Sequence, residues 1–477
     1  MASSLKHFSF VETPEETARI AEAAGLLREH PRVGVDTEAY KAFRPSQNGT
    51  LPSLLLEDFS DIPFLNGVSG IEWYQLRSRT RAGDGDLFAS TQAAIAGYED
   101  YNREQLRIGS PTFLRAREAD AAPLCVADAC REDASIFKTL KTVVKDHGGL
   151  QLHPYMSSRA VWRLAEELRS QTEGRIEVLG PPPPAVFAAN HKGLLDRLAR
   201  ILFGDTSVCR TIKSKDPAEL ARLAPELADT EKVVLKMVNY ASAMGNQVFP
   251  TSELLAGSVE DIEGRIKAFA KKHHWSGNEE MLLIEWRIDS SESPSAQLWI
   301  PPLGEGSPRA DGVFEQLLEG DRCVFQGSLP SSLPHEMQER ISRMSVMASR
   351  VFQELGYAGR CSFDFILCGD EPKFVECNGR WGGTSIPMAL LERILGRANV
   401  PFYRARDYVD PKLAGRPFPE VLARLKDSAF DARTGKGHFI LYNVGCLKDF
   451  GKFDVIAMGA DRDEATRRLE EELPDLL

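Results

Sequence analysis

The sequence predicts an α+β protein of several domains, and three observations carry that prediction. Apolar residues recur at helical spacing in some stretches, as Leu194, Leu195, Leu198, Ile201 and Leu202 do. Other stretches are apolar runs of strand length, among them "KVVLKMV" (232–238) and "MLLIEW" (281–286). Between such regions stands "PPPP" at 181–184, which suits neither a helix nor a central strand and so marks a domain boundary. With 477 residues the chain exceeds what a single core serves, and about two to four domains are expected.

Taken in order, "TPEETARIAEAAGLLREH" opens a helix with a capping box, Thr13 capping, Pro14 in the first turn and Glu16 reaching back. Further helical patterns lie near 92–107 and 157–171, and "GRIEVLG" reads as a short strand running into the prolines. After them come the helix in "NHKGLLDRLARILFG", the two strands named above, and strands in "SAQLWI" and "RCSFDFIL". The long amphipathic helix "EMQERISRMSVMASRVFQEL" precedes the last of these. Beyond 401 the chain reads as strands "HFILYNV" and "FDVIAMG" and a final helix, "DRDEATRRLEEEL", capped by Asp461.

Composition narrows the function classes. An apolar content of 43% and a charged content of 27% are those of a soluble globular protein. A net charge of −11 argues against a nucleic-acid binder, which needs a basic surface. No apolar run approaches the ~18 residues of a membrane span, and "MASSLKHFSFVETPEE" lacks a secretory apolar core. Cysteines at 125, 130, 209, 323, 361, 368, 377 and 446 show no zinc-type spacing, so buried thiols in a reducing cytoplasm are expected.

The chemistry concentrates in "DFILCGDEPKFVECNGRWGG", residues 364–383. Strand interiors disfavour Asp and Asn, yet Asp364, Glu376 and Asn378 sit in what reads as a hairpin of two apolar strands. Glu376 and Asn378 share a face about 7 Å apart, and a turn at Gly369–Glu371 sets Asp364 directly opposite Glu376. Two facing carboxylates repel unless a cation joins them. Two carboxylates and an amide oxygen suit Mg2+, with phosphates completing its shell. Arg380 adds a rigid fork for a phosphoryl group, and "GRWGG" allows close backbone approach. The bland alternative is a solvated hairpin with scattered polar residues.

Two lysines strengthen the reading. Lys236 interrupts an apolar strand, where it is costly without an anion, and the small-residue loop 239–249 behind it could fold over phosphates as a lid. Lys192 stands at the start of a helix. Each lysine alone reads more often as a snorkelling surface side chain. Glu285 could border an adenine slot or be an edge-strand charge, and Arg360 could bind a substrate carboxylate or be a plain surface arginine.

The order of these pieces, "NHK" before a helix, Lys236 before a small-residue loop, "LLIEW", then Asp364 with E-x-N-x-R, resembles the ATP-grasp superfamily over about residues 186–400. A narrower likeness, carried by "YNREQLRIGSP", "LHPYMSSRAVWRLAEEL" and "LKDFGKFDVIAMG", is to peptide ligases of the pheganomycin-biosynthesis type. That resemblance implies an α/β pre-ATP-grasp N-terminal domain (1–185), an ATP-grasp domain of two α+β subdomains clasping nucleotide (186–400) and a small α+β C-terminal domain (401–477). It implies that Lys192 and Lys236 contact ATP phosphates and that Glu285 lies beside adenine. Trp286 to Ile288 would offer backbone groups to the base. Asp364, Glu376 and Asn378 would hold Mg2+, and Arg380 would meet the γ-phosphate or acyl phosphate. Members often carry two consecutive acidic residues at the hinge, whereas here Trp286 follows Glu285, which leaves the ribose contact unassigned.

The expected reaction is ADP-forming ligation of a small-molecule carboxylate and an amine, on amino acids or small peptides in specialised metabolism. A carboxylate kinase, a ligase to a non-amine acceptor, and a non-catalytic nucleotide-binding regulator are the alternatives. Walker A, dinucleotide, zincin and nucleophile-elbow motifs are absent from the sequence. A homodimer is the default assembly, two-fold dimers being the commonest.

Overall fold

The computed structural model describes residues 5, 8, 10–45, 51–62, 65–117, 124–238, 245–286, 292–319 and 324–477. Three sheets organise them. The first is parallel, in the order β3-β2-β1-β4-β5, built from β1 (Ser53–Leu56), β2 (Leu87–Ser90), β3 (Thr112–Arg115), β4 (Gly149–Pro154) and β5 (Arg175–Val178). Helices Val126–Glu132, Ala134–His147 and Arg159–Gln171 pack on it; β1 and β2 are short apolar runs, as buried parallel strands tend to be, whereas β4 alternates.

The second sheet is antiparallel, in the order β6-β9-β7-β8: β6 (Thr211–Ser214), β7 (Lys232–Met237), β8 (Asn246–Pro250) and β9 (Met281–Trp286). The third has eight strands, in the order β14-β13-β10-β11-β12-β15-β17-β16. They are β10 (Pro294–Ile300), β11 (Arg309–Glu319), β12 (Val324–Pro330), β13 (Gly359–Cys368), β14 (Glu371–Asn378), β15 (Phe402–Val409), β16 (Phe439–Tyr442) and β17 (Lys452–Gly459). One face of its β10–β14 half packs on the helices Lys192–Phe203 and His335–Glu354, burying Phe363, Phe365, Phe374 and Cys377 against Leu195, Leu198, Val351 and Phe352.

Several local expectations shift. The prolines do not exclude a helix: Pro183 and Pro184 open the helix Pro183–Asn190, where the first turn needs no N–H donors. The pattern near 92–107 becomes a short helix, Tyr98–Asp100, followed by a wider turn at Tyr101–Gln105. The capping box of Thr13 and Glu16 forms, with the Glu16 N–H donating to Thr13 Oγ1 and the Thr13 N–H to Glu16. That first helix leaves the parallel sheet, however, and packs Ile20, Ala23, Ala24 and Leu27 into the core beneath β13 and β14. Chain beyond 401 adds β15, β17 and β16 to the eight-stranded sheet, so hydrogen bonding runs unbroken across that point.

Three bulges shape the large sheet. Asp311 is the extra residue between β10 and β11, Gln326 between β11 and β12, and Val375 between β13 and β14. Cys125, Cys130, Cys209, Cys361, Cys377 and Cys446 are buried thiols. Among the described residues no helix is long and apolar enough to cross a membrane.

Candidate functional site

The hairpin of β13 and β14 does set Asp364 opposite Glu376, but by a different route from the one expected. The turn is two residues, Gly369 and Asp370, with Cys368 paired to Glu371. The extra residue sits instead at Val375, between the pairs Phe365–Phe374 and Asp364–Glu376. The reason lies in the burial pattern. Phe374 and Glu376 are two apart, so a regular strand would put both on one face. The bulge reverses the parity, and Phe374 enters the core with Cys377 while Glu376 and Asn378 face the other way.

On that open face the side chains converge. Asn378 donates its amide to Asp364 Oδ2 at 2.9 Å, and Ser295 of β10 donates to Asp364 Oδ1 at 2.7 Å. Lys192, only 7% exposed at the head of its helix, brings Nζ to 3.3 Å from Glu376 Oε2. Asn190 at the end of the preceding helix accepts from the Gly379 N–H (3.0 Å) and from Arg380 Nη1 (3.3 Å), which fixes the turn after β14. His191 between them caps the lysine's helix by accepting the Leu194 N–H on Nδ1. Burial, together with His30, pushes His191 down to about 4, so the imidazole stays neutral as this cap requires.

Charge is unevenly shared. Burial opposes ionisation of Glu376, but Lys192, Lys236 and Arg380 outweigh it and hold this carboxyl below its ordinary range. Burial, and next the Glu376 carboxylate across the ladder, push Asp364 up to about 6. A divalent cation between them would remove that conflict. The donor set fits Mg2+: two carboxylates, plus the Asn378 amide oxygen left over once its nitrogen serves Asp364. Among the described residues no three His, Cys, Asp or Glu side chains gather as an all-protein metal cage.

Beside this cluster a narrow apolar slot opens between the two antiparallel sheets, lined by Lys192, Lys236, Leu282, Glu285, Trp286 and Val375. Lys236, 3% exposed, extends over the Trp286 ring with Nζ 5.4 Å from its centre. β9 lies between β6 and β7, so Glu285 is not an edge-strand charge; it is buried and its Oε2 accepts from the Arg210 backbone and guanidinium, both at 3.2 Å. Ile288 lies outside the described residues, as do 239–244 of the loop expected to close as a lid. The rest of that loop is largely β8, paired to β7. Arg360 is neither a surface residue nor open to a ligand: it is buried, ion-paired with Asp311 and set over Trp299 and Trp381.

Two wider spaces adjoin the cluster. One, of about 190 Å³, continues across the sheet over Ser295, Gln297, Gln316 and Ser362. The other, of about 440 Å³, lies toward the parallel sheet, with Arg32, Asp61, Arg159 and Glu279 among its walls. Both include Glu376, Asn378 and Arg380. Sequence reasoning missed Asn190, Ser295, Gln297 and Gln316. The signal available was Ser295 and Gln297 two apart in the otherwise apolar "PSAQLWI".

Residues 76–170 match the model of the pre ATP-grasp domain. The formate-dependent phosphoribosylglycinamide formyltransferase of Synechococcus sp. (strain CC9902) is 26% identical over 284 residues, 57% of this chain and 64% of that protein. Its counterpart in Synechococcus sp. (strain CC9311) is 25% identical over 287 residues, 57% and 65% of the two chains. The match thus spans just under two thirds of these relatives' length. Among solved structures, the N5-carboxyaminoimidazole synthase of Aspergillus clavatus, with ADP and 5-aminoimidazole ribonucleotide, superposes with a TM-score of 0.53 at 10% identity over 89% of this chain and 98% of that one. Biotin carboxylase of Campylobacter jejuni gives 0.52 at 12% identity over 88% and 90%. The chain therefore has the ATP-grasp fold, with a pre-ATP-grasp domain on its N-terminal side.

Proposed function

We propose that this chain is an ATP-dependent, ADP-forming ligase that joins a small-molecule carboxylate to an amine through an acyl phosphate. The observation that carries the reading is the convergence of three cations, Lys192, Lys236 and Arg380, on one Glu376 that stands opposite Asp364 beside Asn378. Three cations against one ionised carboxylate leave positive charge in excess beside open space, which suits a polyanion and its counter-ion. The fold supports nucleotide as the polyanion, because neighbours of this fold are solved with ADP, with ATP and with MgADP. The relatives named as formate-dependent use the simplest carboxylate.

In this reading adenine enters the slot at Leu282 and Trp286, and Lys192 and Lys236 bind the phosphates. Mg2+ held by Asp364, Glu376 and Asn378 would neutralise the transferred group's oxygens. A substrate carboxylate oxygen attacks the γ-phosphorus, the bond to ADP breaks, and the Arg380 guanidinium steadies the charge on the phosphoryl group in transit. The amine then attacks the acyl carbon, phosphate leaves, and the nitrogen loses a proton to give the amide. Positioning and charge neutralisation account for the chemistry, which is why the cluster holds cations and carboxylates rather than a nucleophile. We carry the finer reading, a peptide ligase of the pheganomycin type acting on amino acids or small peptides in specialised metabolism, as part of the same proposal.

The test is incubation with ATP, Mg2+ and a panel of acids, with and without amines. Release of ADP and phosphate that requires both partners is expected. Acid alone sufficing would make the protein a carboxylate kinase, and AMP with pyrophosphate would overturn the assignment. Lys236→Ala should raise the KM for ATP at least about tenfold, since a buried charge-assisted contact to phosphate is lost.

A further inference from the structure

The space of about 190 Å³ beside the cluster has a lining unlike that of the larger cleft. Its floor is polar but uncharged away from the cluster, with Ser295, Gln297 and Ser362 on adjacent strands and Gln316 on the next. Its only charged groups among the described residues are Asp364, Glu376 and Arg380. Its far wall is apolar. Leu318 of β11 and Phe325 of β12 are paired across the ladder, and the bulge at Gln326 brings Phe325 onto the same face as Gln316. Both stay open, at 38% and 37% exposure, although both are large and apolar. The Phe325 ring also rests on the backbone of Gly383, where an added Cβ would come within 2.4 Å of Cε1. Glycine at 383 is therefore what lets this ring form the wall.

We propose that this space holds the acid that is phosphorylated, and that the acid bears an apolar, ring-sized substituent lying against Leu318 and Phe325, with no ammonium group beside its carboxylate. The inference rests on the ligase reading and deepens it: a free amino acid would then enter as the amine and not as the acid that is phosphorylated. An oxyanion that meets the γ-phosphate must lie beside Arg380 and the Asp364–Glu376–Asn378 cluster, which this space does. Two exposed apolar side chains facing a polar floor leave a surface that a ligand's apolar part would cover. Among the described residues an ammonium group would find no carboxylate there beyond the two engaged in the cluster. At about 190 Å³ against about 440 Å³ for the neighbouring cleft, the space suits the smaller of the two partners. The larger cleft on the opposite side, where Glu279 pairs with Arg32 and Asp61 accepts the Arg159 N–H, is left for the amine partner.

The experiment is isothermal titration of acetate and of phenylacetate into the full chain with Mg2+ and a non-hydrolysable ATP analogue. Phenylacetate should bind at least about tenfold tighter than acetate, as expected for covering a phenyl ring. In Phe325→Ala, and in Gly383→Ala where the ring is displaced, the ratio between the two acids should fall toward one. Equal binding of the acids, no binding of either, or an unchanged ratio in both variants overturns the pocket assignment. Hydroxylamine trapping of an acyl phosphate, with ATP in place of the analogue, separates the two readings. If the acids bind with the expected ratio but no hydroxamate forms, the ligase reading fails and the pocket stands.

Discussion

The hairpins β13–β14 and β11–β12 lie in one sheet, separated only by β10, and each carries a single extra residue. In the first the bulge sends Phe374 into the core and Glu376 to the open face. In the second it turns Phe325 outward, leaving a large aromatic side chain 37% exposed on that same face. The same backbone device thus delivers a carboxylate at one end of the face and an apolar wall at the other. A bulge re-aims whatever follows it, and its cost is recovered only where both flanking residues need opposite faces. That condition holds strictly at Val375, between two anchored side chains, and loosely at Gln326, near a hairpin end.

The largest expected effect falls on the charged end. Glu376→Gln removes the group on which Lys192, Lys236 and Arg380 converge, and activity should fall about 10²–10³-fold, as for loss of one preorganised electrostatic contact. Melting should move little, because the core side of β14 is untouched. Coupled-enzyme detection of ADP beside a thermal melt checks both, and full turnover would remove Glu376 from the site. Next in size is insertion of one residue between Asp364 and Phe365, which gives Val375 a partner and removes the bulge. Straightening the ladder in this way forces either Phe374 out of the core or Glu376 into it, at about 3–5 kcal/mol either way. The melting temperature should drop by at least about 6 °C. The same insertion between Leu317 and Leu318, opposite Gln326, reorients among the described residues Leu318, Glu319, Val324 and Phe325 at the hairpin end; a shift below about 2 °C is expected. Equal losses for the two insertions would break the comparison.

The two hairpins also differ in how well the sequence announces them. Asp364, Glu376 and Asn378 interrupt apolar strands, and that conflict with strand preference is visible without coordinates. Their pairing was visible too, but not its cause, because one extra residue in the turn or in the strand gives the same register at Asp364. Leu318 and Phe325 conflict with nothing: an apolar residue facing a ligand and one facing a core look alike in a strand of alternating character. β11 and β12 themselves went unread, as did the four-residue runs β1 and β2 of the parallel sheet, too short to show a period. The buried Asp311–Arg360 pair was illegible for another reason. Its partners are 49 residues apart, and only the fold brings them together.

The smallest effect is the sharpest test of this contrast, since it compares one residue type in two places. Phe374 is 5% exposed and packs against Phe363 and Phe365, with ring centres at 5.7 and 4.4 Å. Phe374→Ala leaves a cavity that the flanking strands cannot close, and should cost about 3–5 kcal/mol. Phe325, open along one side and resting on Gly383, has little to lose by comparison; Phe325→Ala should cost less than about 1 kcal/mol. Urea titration of both variants gives the two values directly. A Phe325 cost as large as that of Phe374 would mean that the wall serves the core. A small cost means that this aromatic residue is held on the open face by the bulge for something other than the stability of the fold.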